Sequence, residues 1–326
     1  MKTRTLGKEG FVIGEMGLGC WQFGGDWGAM DESTADEIMS ASIGSGVNFF
    51  DTANVYGSGR SEEWIGKFLA DREDSVVTAT KYGRGPQAYP DNYTEAGLRR
   101  AIEESRARLR VETIDLLQLH CIPMSVLAAG DVFDWLRRAQ ADGLIRHFGA
   151  SVESVEEGML CLGQEGLLSL QIIFNLFRQK PAEELLPRAK ERGVGIIVRL
   201  PLASGLLSGK FTAATEFSES DHRNYNRDGA AFNVGETFAG LTLAKGTELT
   251  DRLKPLVPTG MTMAQMAMRW ILDHDAVSVI IPGASSVAQA RENAAVSALP
   301  PLSAELHREL AGLYQNGVRP HIRGPY

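Results

Sequence analysis

The chain has 326 residues, of which 44% are hydrophobic and 23% are charged, and its formal net charge is −8. This length and composition allow a large core, arranged as one large α/β domain or as two ordinary ones. The charges form no long run of one sign, so the chain lacks the basic stripe that phosphate backbones require, and no nucleic-acid partner is expected.

The amino terminus and the cysteines favour a soluble, cytoplasmic protein. The segment MKTRTLGKEGF at 1–11 lacks the apolar core of a signal peptide, and no uncharged apolar run reaches the roughly 18 residues that span a bilayer. Cys20, Cys121 and Cys161 are odd in number and far apart, which argues against a disulfide framework and against a zinc site. We therefore expect buried free thiols and no membrane partner.

Eight short apolar runs alternate with longer amphipathic stretches, which is typical of βα units around a parallel sheet. Eight such repeats predict a closed (β/α)8 TIM barrel; an open doubly wound sheet would need about six strands and a switch point. The runs are IGEMGLG (13–19), VNFF (47–50), SVVTATK (75–81), IDLLQLH (114–120), IRHFGAS (145–151), LSLQIIFN (168–175), VGIIVRL (194–200) and AVSVIIPG (276–283). Helix candidates between them are 35–46, 61–72, 94–109, 133–143, 182–193 and 263–274, many with apolar residues three or four positions apart.

Two segments fall outside the repeat. An irregular stretch at about 211–248 follows the seventh predicted strand, and stretches of this length are usually functional lids or disordered. In a barrel it would lie over the C-terminal mouth, which favours a lid. A helix near 303–316 and the tail NGVRPHIRGPY are expected outside the eight units, with 1–326 forming one barrel domain.

Polar side chains stand where the second, third and fourth predicted strands end. They are Asp51, Lys81 and His120, and Tyr56 follows Asp51 by five residues. Singly, each has an ordinary structural explanation as a helix cap, a solvated charge, a satisfied polar residue or a packing aromatic. Barrel enzymes carry their chemistry at the C-terminal ends of strands, so the joint placement favours a catalytic group.

Several separated segments, in order, resemble the signature segments of the aldo-keto reductase superfamily. They are GLGCWQFGG (17–25), DTANVYGSGRSEEWIG (51–66), VVTATKYG (76–83), DLLQLHC (115–121), FGAS (148–151), PLASGLLSGKF (201–211) and IPGASSVAQARENAA (281–295). The resemblance implies reduction of an aldehyde or ketone to an alcohol, with sugar-like carbonyls among the candidates. It also implies a nicotinamide cofactor bound across the barrel mouth without a Rossmann domain, and the partial motif GSGRSEE indeed lacks a third glycine.

By the same resemblance Asp51, Tyr56, Lys81 and His120 form the catalytic tetrad. A carbonyl that accepts hydride becomes an alkoxide, so a proton donor and oriented dipoles must meet its oxygen. Tyr56 is the expected donor, and because a free phenol has a pKa of about 10, we expect the Lys81 ammonium to lower it. Asp51 would hold Lys81 charged, and a neutral His120 would orient the substrate oxygen.

The expected cofactor is NADPH, with NADH as a second candidate. The chain has Val152 where the family pattern has an asparagine, Arg199 where many members stack a tyrosine under the nicotinamide, and Gln289 where many have an arginine. A guanidinium can also stack. Arg223 is a candidate to replace the missing charge. The candidate cofactor contacts are Trp21, Ser151, Gln171, Arg199, Leu202, Ser204, Gly205, Lys210, Arg223, Gly283, Ser285, Gln289 and Asn293.

The substrate pocket is expected to be aromatic. Trp21, Phe23 and Trp27 lie in the first loop, and His321 and Arg323 of the tail are expected near the mouth. A second function remains open, since the potassium-channel β subunits share this fold and act as cofactor-sensing binding partners. The chain shows no long amino-terminal arm for partner binding, which favours the reductase.

Overall fold

A closed ring of eight parallel strands forms the centre of the structure, a computed structural model that describes residues 1–326. Two further strands form an antiparallel hairpin. The strands are β1 (Thr3–Thr5), β2 (Val12–Gly14), β3 (Leu18–Gly19), β4 (Phe49–Asp51), β5 (Val77–Tyr82), β6 (Ile114–His120), β7 (Ile145–Ser151), β8 (Leu167–Ile173), β9 (Gly195–Arg199) and β10 (Val277–Ile280).

Twelve α-helices accompany the strands. They are α1 (Glu32–Gly44), α2 (Arg60–Ala70), α3 (Glu95–Leu109), α4 (Met124–Ala129), α5 (Asp131–Ala141), α6 (Val155–Cys161), α7 (Leu185–Arg192), α8 (His222–Tyr225), α9 (Leu243–Leu253), α10 (Met263–Leu272), α11 (Val287–Ala295) and α12 (Ala304–Leu313). None of them is both long and apolar enough to cross a membrane.

The ring closes between its first and last strands. Neighbouring strands pair in chain order from β3 to β10. Gly17 N then donates to Ile280 O at 2.8 Å and Gly19 N donates to Pro282 O at 3.1 Å, so β3 is joined to β10. The predicted (β/α)8 barrel is confirmed, and each of the eight apolar runs overlaps one of its strands.

Burial on both faces explains why the strands read as apolar runs rather than as alternating patterns. Side chains facing outward pack against the ring of helices in a cluster of 55 buried residues. A separate cluster of ten fills the barrel interior, including Phe49, Ala79, Leu116 and Ile197. The interior is therefore a packed core below the mouth, not a pore.

The first predicted strand, 13–19, is wrong as a single element. Its beginning belongs to the hairpin strand β2, and its end belongs to the barrel strand β3. The chain changes partner at Glu15, whose N–H bonds to Lys2 O while its carbonyl accepts from Ile280 N. The hairpin places Leu6 and Ile13 in the interior cluster, so it plugs the N-terminal end of the barrel.

The segment after β9 is partly helical. Apart from short turns and α8, residues 211–242 are irregular, as predicted, but α9 begins inside the predicted 211–248 stretch. Its N-cap is Thr242, whose Oγ1 accepts from Lys245 N at 3.3 Å. The stretch was misjudged because LAKGTELTDRL has a glycine in its middle, which weakens the helical pattern. The predicted C-terminal helix corresponds to α12.

Removal of the Glu15 carboxylate should destabilise the protein. Glu15 is 1% exposed, and it accepts hydrogen bonds from Arg4 Nε at 2.9 Å and from Ser297 Oγ at 2.9 Å. Glu15→Ala removes the acceptor of Arg4 Nε and of Ser297 Oγ, while Arg4 keeps the carbonyls of Leu272 and Val277, and we expect a loss of about 1–3 kcal/mol in the free energy of unfolding, measured by urea denaturation. Glu9→Ala, at an exposed hairpin position, is the control and should change little. A loss below about 1 kcal/mol for Glu15→Ala would show that the buried pair is unimportant.

Candidate active site

Polar side chains replace apolar ones in the top layer of the barrel interior. Side chains two residues apart on a strand share a face, so Asp51 stands above the interior residue Phe49, and Lys81 stands above Ala79. The same alternation on β6, β8 and β9 brings Gln118, His120, Gln171 and Arg199 to this layer.

Lys81 and Asp51 form a buried ion pair. Lys81 Nζ lies 2.5 Å from Asp51 Oδ1, and the two side chains are 1% and 3% exposed. Lys81 Nζ also donates to Thr52 O at 2.8 Å and to Tyr56 Oη at 3.4 Å. Burial favours the neutral amine, but Asp51 and Tyr56 outweigh it and raise the pKa of Lys81 above its ordinary value. The lysine is therefore an ammonium that points at the tyrosine.

Two glutamine amides hold the other oxygen of Asp51. Gln118 Nε2 donates to Oδ2 at 2.9 Å, and Gln171 Nε2 donates to it at 2.7 Å. Gln118 was missed in the sequence, although the spacing Leu116, Gln118, His120 on one strand face would have indicated it. The sequence assigned Gln171 to the cofactor; here its amide donates to the Asp51 carboxylate.

Tyr56 is brought over the ion pair by a tight turn after β4. Residues 56–59 form a 3-10 turn in which Gly57 has a φ of 59°. The Tyr56 ring stacks on Trp21, with centroids 5.9 Å apart and an interplanar angle of 20°. Burial raises the pKa of Tyr56, and the opposing effect of Lys81 does not overcome it, so the net shift is upward. The expected downward shift is wrong in its net direction, because the loss of solvation dominates.

His120 stands at right angles to Tyr56. The two ring centroids are 6.0 Å apart with an interplanar angle of 88°. Burial, followed by the charges of Arg84, Lys81 and Arg199, lowers the pKa of His120 well below its usual value. This confirms the expectation of a neutral imidazole, which offers a substrate either an N–H or a lone pair according to its tautomer.

A second buried charge cluster lies beside the tetrad. Arg84 Nη2 donates to Glu236 Oε1 at 2.8 Å and to Glu153 Oε1 at 3.0 Å, and Arg199 Nη1 lies 3.4 Å from Glu236 Oε2. Although burial opposes it, the two guanidinium groups lower the pKa of Glu236 to about 2. Glu236 belongs to the segment after β9, so this cluster ties that segment to the barrel. Sequence reasoning missed Arg84, Glu153 and Glu236.

A groove of ≈ 300 Å³ runs from the tetrad toward the start of α11. It brings together three of the four proposed catalytic residues and eleven of the thirteen candidate cofactor contacts. Lys81 lies beneath its floor. Of these predicted residues the groove is lined by Trp21, Asp51, Tyr56, His120, Gln171, Arg199, Leu202, Ser204, Gly205, Lys210, Arg223, Gly283, Ser285 and Gln289.

Ser151 and Asn293 lie behind the groove wall. Ser151 is 2% exposed and donates to Gln171 Oε1 at 3.5 Å, while Asn293 Nδ2 donates to Gly283 O at 3.1 Å. Both side chains therefore bond groove residues and do not line it. Val152 stands where the family pattern has an asparagine. Its backbone carbonyl accepts a hydrogen bond from Arg199 Nη2 at 3.3 Å.

The groove has features that fit an extended dinucleotide. Arg199 Nε is buried and has no hydrogen-bond partner at the tetrad end, where a nicotinamide would lie. Ser204 and Gly205 have φ angles of 55° and 98° and form a tight turn in the groove wall, in which Gly205 N donates to Leu202 O at 2.9 Å. At the far end Gln289 Oε1 accepts from both the N–H and the Oγ of Ser285, at 2.8 and 3.0 Å, so Gln289 supplies no positive charge.

A smaller cavity of ≈ 140 Å³ adjoins Tyr56 and His120, at the end of the groove that is distant from α11. Trp27 lines the groove, but the expected aromatic wall residue Phe23 is fully buried and packs against Trp64 instead. His321 and Arg323 line neither space; Arg323 Nε donates to Gly240 O at 2.9 Å. The small cavity is lined by Trp21, Asp26, Val55, Tyr56, Arg84, His120, Tyr225, Phe232 and Glu236.

Comparisons with known proteins agree with this geometry. Residues 15–315 match the model of the aldo/keto reductase family. The chain is 30% identical over 303 residues to the uncharacterised oxidoreductase YqkF of Bacillus subtilis (strain 168), covering 90% of each protein.

Two solved structures are similar throughout. The aldo-keto reductase AKR11C1 from Bacillus halodurans, in its holo form, has a TM-score of 0.78 and 26% identity over 96% of each chain. The glycerol dehydrogenase AKR11B4 from Gluconobacter oxydans has a TM-score of 0.77 and 28% identity over 99% of this chain and 98% of its own. The chain therefore belongs to the aldo/keto reductase family and is an NAD(P)H-dependent oxidoreductase.

Proposed function

We propose that residues 1–326 act as one barrel domain that reduces a small aldehyde or ketone to an alcohol, with NADPH as the cofactor and Tyr56 as the general acid. The observation that carries this proposal is the contact of the buried Lys81–Asp51 pair with Tyr56 Oη beside a neutral His120. Tyr56 and His120 line the same cavity, where a carbonyl oxygen can reach both the phenol and the imidazole.

The residues of the tetrad have separate tasks in proton transfer. Tyr56 holds the proton to be donated, since its raised pKa keeps the phenol protonated at neutral pH. Lys81 lies 3.4 Å from Tyr56 Oη and stabilises the phenolate as it forms. Asp51 fixes the ammonium, and neutral His120 can donate an N–H to the substrate oxygen as that oxygen gains charge.

The groove residues would hold the dinucleotide across the barrel mouth. When bound, NADPH supplies the hydride that no protein side chain can provide. Arg199 and Gln171 would lie at its nicotinamide end, Ser204 and Gly205 along its phosphates, and Ser285 at its adenosine end. Three cationic side chains line the groove, namely Arg199, Lys210 and Arg223. Because Arg199 would lie at the nicotinamide end, only Lys210 and Arg223 are available to bind a 2′-phosphate.

Tyr56→Phe should abolish most carbonyl reduction. The ring and its stacking on Trp21 are retained, but the proton donor is lost, so we expect kcat to fall by about 10²–10⁴-fold. Steady-state rates with an aldehyde, followed by NADPH absorbance, measure the loss, and fluorescence titration should show unchanged NADPH binding. Tyr89→Phe, at a position that is 47% exposed, is the matched control. Near-normal turnover by Tyr56→Phe would exclude Tyr56 as the acid.

The pH profile of reduction should lack a histidine limb. The pKa of His120 is depressed, so the imidazole stays neutral well below its ordinary pKa, and the raised pKa of Tyr56 keeps its proton available into the alkaline range. We expect kcat/KM to be flat from about pH 6 to about pH 9 and to fall at higher pH. A loss of activity centred near pH 6.5 would show instead that His120 titrates normally.

Arg223→Ala should weaken NADPH selectively. The Arg223 guanidinium lies 4.4 Å from the Phe217 ring centroid and 5.1 Å from that of Trp27, and it pairs with Asp221 at 2.5 Å, so it is held at the groove. We expect the KM for NADPH to rise about tenfold and that for NADH to change less than about twofold. Arg227→Ala, exposed and outside the groove, is the control. Equal effects on both cofactors, or none, would eliminate Arg223 as the 2′-phosphate partner.

A further inference from the structure

The cavity beside Tyr56 and His120 contains a carboxylate that proton transfer does not use. Asp26 lies in the loop after β3 and lines this cavity. Its Oδ2 accepts from Trp21 Nε1 at 2.9 Å, and its Oδ1 accepts from Tyr225 Oη at 3.1 Å. Both donors are neutral, and each carboxylate oxygen can accept two hydrogen bonds, so Asp26 keeps acceptor capacity for a ligand.

The other walls limit the size and shape of a substrate. The cavity encloses ≈ 140 Å³, and its aromatic walls include Trp21 and Phe232, whose ring centroids are 6.0 Å apart. Tyr225 meets Phe232 at 6.1 Å, edge to face. A carbonyl compound of a few carbon atoms would lie against these rings with its oxygen at Tyr56 and its other end at Asp26.

The charges of the cavity disfavour an anion. Asp26 and Glu236 contribute two carboxylates to its wall, and Arg84 contributes one guanidinium. That guanidinium is already paired with Glu236 and with Glu153, at 2.8 and 3.0 Å. A substrate carboxylate would therefore meet Asp26, which has no cation beside it, whereas a hydroxyl group would find a free acceptor.

We propose that Asp26 is a specificity-determining residue that selects short, uncharged aldehydes or ketones bearing a hydroxyl group, by accepting a hydrogen bond from that hydroxyl. A fully apolar substrate of the same length leaves the carboxylate without this bond after water has been displaced, and a site of this kind discriminates strongly against the analogue that lacks the hydroxyl. This inference rests on the proposed carbonyl reduction and adds the substrate class.

The test compares three short carbonyl compounds in wild type and in Asp26→Asn. They are glyceraldehyde, propanal and glyoxylate, with kcat/KM expressed per free carbonyl after NMR measurement of hydration. We expect Asp26→Asn to lower kcat/KM for glyceraldehyde about tenfold, mainly through KM, and to leave propanal within about twofold. The anion glyoxylate is not repelled by the neutral asparagine, so its kcat/KM in Asp26→Asn should rise relative to that of glyceraldehyde. Differences in intrinsic carbonyl reactivity cancel, because the kcat/KM of each compound in the variant is divided by its own value in the wild type.

Controls separate selection from folding. Asp91→Asn changes an exposed carboxylate elsewhere on the barrel and should leave kcat/KM for all three compounds unchanged. Equal effects of Asp26→Asn on glyceraldehyde and propanal would overturn the inference while leaving carbonyl reduction intact. If Asp26→Asn does not fold, Asp26→Ser repeats the comparison, and an equal effect of that variant on glyceraldehyde and propanal would likewise overturn the inference. No reduction of any of the three by wild type with either cofactor would overturn both proposals.

Discussion

The structure of the site depends on one ammonium and one carboxylate buried at the top of the barrel interior. Desolvation of two charges costs several kcal/mol for each ion unless their remaining hydrogen-bonding capacity is also satisfied. Asp51 meets this requirement with Lys81 on one oxygen and with Gln118 and Gln171 on the other, and Lys81 adds the carbonyl of Thr52. The polar top layer is thus built around one ion pair, and its position fixes where the Lys81 ammonium can face Tyr56.

Burial sets the protonation state of both groups that would meet a carbonyl oxygen. It raises the pKa of Tyr56 and lowers that of His120, so each is held in its neutral form. For a general acid this is useful, since the phenol is protonated before reaction and the nearby Lys81 stabilises the phenolate only as it forms. The sequence suggested that Lys81 has the dominant influence on the pKa of Tyr56, because charged residues can be read directly from a sequence. The extent of desolvation cannot be read in this way, since it depends on the folded surroundings.

The barrel and the rim positions of Asp51, Lys81 and His120 could be predicted because each barrel strand overlaps one apolar run, and the end of that run marks the rim. The grouping of these residues as a tetrad came from the family resemblance. The partners of Glu236 could not be predicted in this way, since Arg84 is 152 residues away and no periodicity links them. The split of 13–19 was hidden for a related reason, as the change of strand partner at Glu15 depends on where the hairpin meets β10.

The segment after β9 crosses the barrel mouth to the loops after β3 and β5, and it supplies part of the wall of the small cavity. At one side Glu236 bonds Arg84, and at the other His222 N donates to Asp26 O at 3.0 Å while the His222 ring packs 4.2 Å from that of Trp27. The segment therefore supplies Phe232, Tyr225 and Glu236 to the cavity without touching the Lys81–Asp51 pair. Substitutions in this segment can therefore change the cavity walls, while the Lys81–Asp51 pair is held in place by Gln118, Gln171 and the carbonyl of Thr52.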